Sequence, residues 1–181
     1  MKPSLVIVGL GNPGAQYART RHNVGFMAVD HLHEDYGTTP WTPSQKFQSE
    51  IAEATIDGTT VLLMKPQTFM NRSGEAIRKI VDFYKLNTAI NILVIVDDID
   101  IPLGTERLRL SGGPGTHNGL KSIVECLGED FPRLRIGIGP KPENIDLAAW
   151  VLSAMSEEER SALRINSETI LDTIRQCMDQ E

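Results

Sequence analysis

One histidine, one aspartate and three asparagines stand out in this chain as side chains that can do chemistry. They are Asn12, His22, Asn71, Asp97 and Asn118, all placed in turns, in loops or at the edges of elements. An unperturbed imidazole, with a pKa of about 6.5, can take a proton at physiological pH. A carboxylate can hold such a ring in one tautomer, and side-chain amides donate and accept hydrogen bonds without titrating. Together these types suit general-base attack on a carbonyl, with amide donors for the oxygen that gains charge. Each alone also has a structural explanation: Asn12 can make a turn, Asn71 and Asn118 can cap helices, Asp97 can end a strand, and His22 can be a solvated loop residue.

The elements that must position them follow from apolar periodicity. Residues 4–8 are a short apolar run ending in Gly9, which reads as a buried strand feeding the turn Leu10-Gly-Asn-Pro-Gly14. Residues 17–22 continue as polar loop. From Asn23, the positions of Val24, Phe26, Met27, Val29 and Leu32 predict a helix stopped at Gly37, so His22 is expected just before a helix, held but not buried. Residues 47–56 and 60–65 flank Asp57-Gly58 and predict an antiparallel hairpin. Asn71 is expected in the loop entering a second helix, marked by Ala76, Ile77, Ile80, Val81 and Tyr84.

Ile92-Leu-Val-Ile-Val96 predicts a central strand covered on both faces and ending at Asp97, and ligands in α/β folds collect at such carboxyl ends. Residues 105–110 alternate, with Arg107 and Arg109 on one face; a glycine-rich loop over 111–119 then leads into a helix through Leu120, Ile123, Val124 and Leu127. Leu134, Ile136 and Ile138 predict a further strand whose other face carries Arg133 and Arg135. Ser156-Glu-Glu-Glu159 has the form of a capping box and introduces a charged helix to about Met178. The expected fold is α/β, a single domain over residues 1–181 with a twisted mixed β-sheet flanked by helices on both faces.

At 181 residues and 40% hydrophobic content, the chain can bury one substantial core. No stretch approaches the roughly 20 apolar residues that span a bilayer, and the start runs into a glycine turn too early for a signal peptide, so a cytoplasmic location is expected. With 18 basic against 24 acidic residues the net charge is -6, so any nucleic-acid ligand needs a local basic patch. Cys126 and Cys177 lack metal or redox spacing and read as small buried hydrophobes. His31 and His33, two apart on a helix, point in different directions, so no metal site is expected.

Other catalytic patterns fail on context. Gly9-Leu-Gly-Asn-Pro-Gly14 satisfies the dinucleotide pattern, yet Pro13 and the polar stretch to His22 delay the helix that should face a pyrophosphate. Gly119 is followed by Leu120 where a phosphate loop requires lysine, and no nucleophile-elbow serine is present.

Five segments in order, Gly9-Leu-Gly-Asn-Pro-Gly14 through Thr20-Arg-His-Asn-Val-Gly25, Lys65-Pro-Gln-Thr-Phe-Met-Asn-Arg-Ser-Gly74, Asp97-Asp-Ile-Asp-Ile-Pro102, Gly112-Gly-Pro-Gly-Thr-His-Asn-Gly-Leu-Lys-Ser122 and Phe131-Pro-Arg-Leu-Arg-Ile-Gly-Ile-Gly139, resemble the bacterial-type peptidyl-tRNA hydrolases. The resemblance covers most of the chain to about residue 140. It implies hydrolysis of the ester between a peptide and tRNA, without metal or other cofactor, by a monomer. It also implies that His22 is the base and Asp97 its orienting partner, that Asn12 and Asn71 contact the peptide or reacting carbonyl, and that Asn118 helps place water or peptide backbone. Tyr17, Phe69 and Met70 look like the apolar wall of the cleft. Arg109 and Arg135 fall where that family clamps the tRNA 5'-phosphate, with Arg107, Arg133, Lys121 and Lys141 extending the patch or simply solvated.

The chain departs from the family pattern at Pro114 and Thr116, where serine or histidine and then glycine are usual, and in an acidic rather than basic C-terminal segment. The first departure bears on gating of the cleft by its glycine-rich loop, because proline lacks an N–H and fixes φ. The second bears on contacts with the tRNA body. A non-catalytic RNA-binding relative of the same fold and a dinucleotide-binding enzyme are the alternatives.

Overall fold

The computed structural model describes residues 1–163, 165 and 167–179. Its centre is β1 (Val6–Gly9), whose four residues are all buried. β1 pairs in parallel with β4 (Thr59–Pro66) on one side and β5 (Ile92–Pro102) on the other. β5 continues in parallel to β7 (Arg133–Gly139), while β3 (Ser49–Ile56) and β6 (Glu106–Arg109) add antiparallel to β4 and β7. With β2 (Thr42–Ser44) on β3, the seven strands run in the order β2-β3-β4-β1-β5-β7-β6, the mixed sheet expected. Asp57 and Gly58 both have positive φ, 48° and 78°, as a tight turn between antiparallel strands requires.

Alternation along the central strands feeds two cores. Ile7, Leu63, Leu93 and Ile95 face one way, where α1 (Val24–Tyr36) and α7 (Ser167–Met178) supply Val29, Leu32, Ile170 and Ile174. Val6, Val8, Val94 and Val96 face the other way, against Ala76, Ile77 and Ile80 of α2 (Ser73–Tyr84) and Leu120 and Ile123 of α4 (Asn118–Leu127). Each such side chain, removed wholly from water, contributes about 1.5–3 kcal/mol. This explains why β1 and β5 read as continuous apolar runs. Among the described residues no helix is long and apolar enough to cross a membrane.

Several details differ from the sequence reading. β5 does not end at Asp97 but runs on to Pro102, with an irregularity between Asp98 and Pro102. Its pairing with β1, however, stops at Ile95 opposite Gly9, so Asp97 has a strand on one side only. The charged stretch after Ser156 is two helices, α6 (Glu157–Leu163) and α7, rather than one. A four-residue α3 (Thr88–Asn91) and a five-residue α5 (Leu147–Val151) complete the helices among the described residues. Cys177 is buried as expected, but Cys126 is only partly so. The last two residues of the acidic tail lie outside the described residues.

The glycines of the first loop serve close packing. A Cβ on Gly25 would collide with the Ile95 carbonyl and the Leu10 amide nitrogen, and one on Gly11 would meet the Phe26 ring at 2.6 Å. The first turn of α1 is thereby pressed on the carboxyl ends of β1 and β5, leaving no helix N-terminus free behind the glycine pattern for a pyrophosphate. Gly25→Ala is expected to cost about 2–4 kcal/mol, since backbone on both sides must shift. Urea unfolding measures this; a variant as stable as the parent would contradict the packing.

Candidate active site

Where β1 turns away, the carboxyl edge of the sheet opens into a cleft of about 740 Å³. Asp97 lies at its base, only 3% exposed. His22 reaches it from a 3-10 turn, Arg21–Asn23, that leads into α1; its Nδ1 lies 3.0 Å from both carboxylate oxygens. His22 is itself buried, at 8% exposure, and not the uncovered loop side chain expected. Its segment is held by a long-range bridge: Arg21 N–H donates to the Ser153 carbonyl and Met155 N–H to the Arg19 carbonyl.

A second imidazole completes the arrangement. His117, at the end of the glycine-rich loop, places Nε2 2.8 Å from Asp97 Oδ1. Its Nδ1 accepts from the backbone N–H groups of Gly119 and Leu120, capping α4. An accepting Nδ1 bears no proton, so Nε2 carries it and donates to Asp97. By the same logic His22 donates from Nδ1, which leaves His22 Nε2 as the lone-pair nitrogen of the cleft. Sequence reasoning missed His117. Its signal was a histidine one residue before an expected helix, in the N-cap position where a side-chain acceptor is favoured.

Burial alone would raise the Asp97 pKa, but interaction with His117 and His22, through charge and hydrogen bonds, outweighs it and holds the carboxyl well below the usual carboxylate range. The carboxylate is therefore a permanent acceptor. His22, Asp97 and His117 also have ligand atoms within 4.8 Å of one another, so they could hold a metal ion. In the observed geometry the two imidazole protons already satisfy the carboxylate, and an ion would have to displace them.

Asn12 is fixed at every group but one. Its backbone N–H and C=O pair with the side-chain amide of Asn23, at 2.8 and 2.9 Å, and its Oδ1 accepts from Met70 N–H at 2.8 Å. Its Nδ2 is left to serve the cleft that Asn12 lines. The Met70 amide is presented by an unusual backbone, since Phe69 has φ 63° and ψ 160°, a region that costs a non-glycine residue about 1–3 kcal/mol.

Of the residues singled out in the sequence, Asn12, His22, Met70, Asn71, Asp97, Asn118, Arg109 and Arg135 line this one cleft. Tyr17 and Phe69 do not. They meet edge to face at 6.4 Å between ring centres, outside the lining, with Phe69 half exposed. Asn71 and Asn118 are exposed at the mouth. Both Pro114 and Thr116 line the cleft.

The register pairs Arg107 with Arg135 and Arg109 with Arg133, which puts four arginine side chains on one face of the antiparallel β6–β7 edge. Arg135 is bonded to Asp98 at 3.1 Å. Arg133 is not a surface cation. It is 1% exposed, stacks on Phe131 and donates to the carbonyls of Glu129, Phe131 and Gly113, which ties the glycine-rich loop to β7. Its pKa is pushed down to about 10 by burial and then by Arg109. Lys121 lines the cleft, whereas Lys141 donates to the carbonyls of Pro142 and Ile145.

A buried imidazole–carboxylate pair and an anchored amide, opening into a cleft at the carboxyl edge of a mixed sheet, define an enzyme equipped for hydrolysis rather than a dinucleotide binder. A family model described as peptidyl-tRNA hydrolase matches residues 6–181. The peptidyl-tRNA hydrolase of Chloroflexus aggregans is 52% identical over 159 residues, 87% of this chain and 84% of the relative. That of Rhizobium leguminosarum bv. trifolii is 45% identical over 175 residues, 97% of this chain and 69% of the relative. A solved structure of peptidyl-tRNA hydrolase from Acinetobacter baumannii superposes with a TM-score of 0.86 at 36% identity, covering 99% of this chain and 95% of that one. The chain belongs to the peptidyl-tRNA hydrolase family and is a carboxylic ester hydrolase.

Because the folded Asp97 titrates below its ordinary value of 3.8, its ionised form contributes stability that is full above about pH 4 and is lost as pH falls from there through the folded value. Asp97→Asn should therefore flatten the acid limb of unfolding free energy against pH. A variant whose acid limb superposes on the parent's would show that Asp97 titrates normally.

Proposed function

We propose that this chain hydrolyses the ester between the peptide, or an N-acylated aminoacyl group, and the tRNA ribose in peptidyl-tRNA released from ribosomes, so that the tRNA is recycled. The observation that carries the reading is His22, bonded through Nδ1 to the ionised Asp97, with Nε2 left for the cleft beside Asn12. His22 Nε2 takes a proton from water as the water oxygen adds to the ester carbonyl. Asp97 holds the tautomer and stabilises the imidazolium. Asn12 Nδ2 donates to the carbonyl oxygen as it gains charge. When the carbon–oxygen bond to ribose breaks, the imidazolium returns its proton to the departing ribose oxygen.

An ester is activated relative to an amide, so the step needs neither a covalent serine nor a cofactor. Asn71 and Asn118 at the mouth, with Met70 deeper in, seat the peptide end; Tyr17 and Phe69 stand where an extended peptide leaving the cleft would pass. Arg109 and Arg135 receive the tRNA 5'-phosphate near the acceptor end, Arg135 exchanging its bond to Asp98 for the stronger paired geometry of a phosphate. The enzyme works as a cytoplasmic monomer.

Purified protein should release free tRNA from N-acylated aminoacyl-tRNA in EDTA, and His22→Ala should lower kcat by about 10²–10⁴-fold. Full activity of His22→Ala would remove the base from the mechanism. Arg135→Ala should raise KM, leave kcat nearly unchanged and reduce the slope of log affinity against log salt by about 1. An unaltered salt slope would exclude Arg135 from the clamp.

A further inference from the structure

The residue immediately before the base has a role that the hydrolytic step does not use. Arg21 is 5% exposed, and its guanidinium carbon lies 3.4 Å above the Trp150 ring. Nη1 donates to the carbonyls of Trp150 and Ser153 at 3.4 and 3.3 Å and to Ser153 Oγ at 2.5 Å, while Nη2 donates to Glu159 Oε1 at 2.5 Å. Glu159 is fixed in turn by the reciprocal cap with Ser156, each accepting from the other's backbone N–H. Arg21 Nε and Trp150 Nε1 are both buried, so the cation–π attraction is little screened by bulk solvent.

These contacts hold a wall of the cleft. Leu147, Ala148 and Val151 of α5, with Asp146 before it and Leu152 after it, line the same cleft as the loop of His117. Five residues are too few to form a stable helix alone, so the position of α5 depends on what it is tied to. Backbone bonds between residues 19–21 and 153–155 fix the segment just after α5. The Arg21 side chain ties α5 itself, placing its cation on the carbonyls of Trp150, at the helix's carboxyl end, and of Ser153, just beyond it, where the dipole favours positive charge. One peptide bond separates that anchor from the residue bearing the base.

We propose that Arg21 is a positioning residue that latches the α5 wall to His22, so that the seat of the acyl group and the aim of His22 Nε2 are set together. The proposal rests on the reading of this cleft as the ester-hydrolysing site. Loosening the latch lets the wall drift relative to the base, which lowers the fraction of bound substrate in attacking geometry and so reduces kcat more than it raises KM.

The test uses the full chain with Glu159→Gln, Arg21→Lys and Arg21→Ala, assayed for tRNA release from N-acetylated aminoacyl-tRNA and for melting temperature. The His22 Nδ1 proton, shared with Asp97, gives a downfield NMR signal assigned by its loss in His22→Ala. For Glu159→Gln and Arg21→Lys we expect kcat to fall by about three- to tenfold with KM changed less than about twofold, little change in melting temperature, and broadening of the His22 signal. Where Arg21→Ala fails to fold, the two conservative variants carry the test. Parental kcat in both, or a loss that tracks the unfolded fraction while the signal stays sharp, overturns the latch. Should the parent release no tRNA, the ester reading fails, and the signal still decides: unchanged in Arg21→Lys, it overturns the latch, and broadened, it supports it.

Discussion

The carboxylate of Asp97 is the group on which the cleft depends. One buried anion accepts from two imidazoles that arrive from loops 95 residues apart, one ahead of α1 and one ahead of α4. A buried charge is tolerated only when it is paired and hydrogen-bonded, and here the two donors meet that need. The requirement acts in both directions. The sheet must deliver the carboxylate to an edge where β1 no longer covers it, and both helices must start with their imidazoles turned toward it.

The sheet meets its part through strand lengths. β1 stops at Gly9 while β5 runs on, and the missing neighbour leaves a notch into which the first turn of α1 presses, permitted by Gly9 and Gly25. The loops meet theirs through arrangements that are costly alone: Phe69 in a glycine-like backbone conformation, and the Arg133 guanidinium buried under the glycine-rich loop. Each is over-determined by its neighbours, the usual condition for strain to persist at a working site.

Most of the architecture was legible because it is written in local periodicity. The alternation of β3 and β4 around Asp57-Gly58, the apolar runs of β1 and β5, and the amphipathic spacing of α1, α2 and α4 need no tertiary information. The burial of His22 was not legible, since it follows from long-range contacts: the bridge of residues 19–21 to residues 153–155 and the His117 ring, 4.8 Å from its own. His117 was hidden inside a glycine-rich loop that invited comparison with phosphate loops. Arg133 and Arg135 alternate with apolar residues as solvent-facing cations would, and only the pairing of β6 with β7 reveals that Arg133 is interior. The single helix read beyond Ser156 failed because charged helical composition does not mark where one helix ends and the next begins.

The β6–β7 edge gathers arginines on an otherwise acidic molecule. The net charge is -6, yet on this edge Arg107 and Arg109 are exposed, beside the buried Arg133 and the Asp98-paired Arg135. A cationic edge on an acidic molecule would favour those encounters with a polyanion in which that edge is met first. That preference fades over a screening length of about 8–10 Å at physiological ionic strength. Net charge therefore does not by itself decide whether such a molecule meets a polyanion; the placement of a few arginines on one edge can outweigh it at short range.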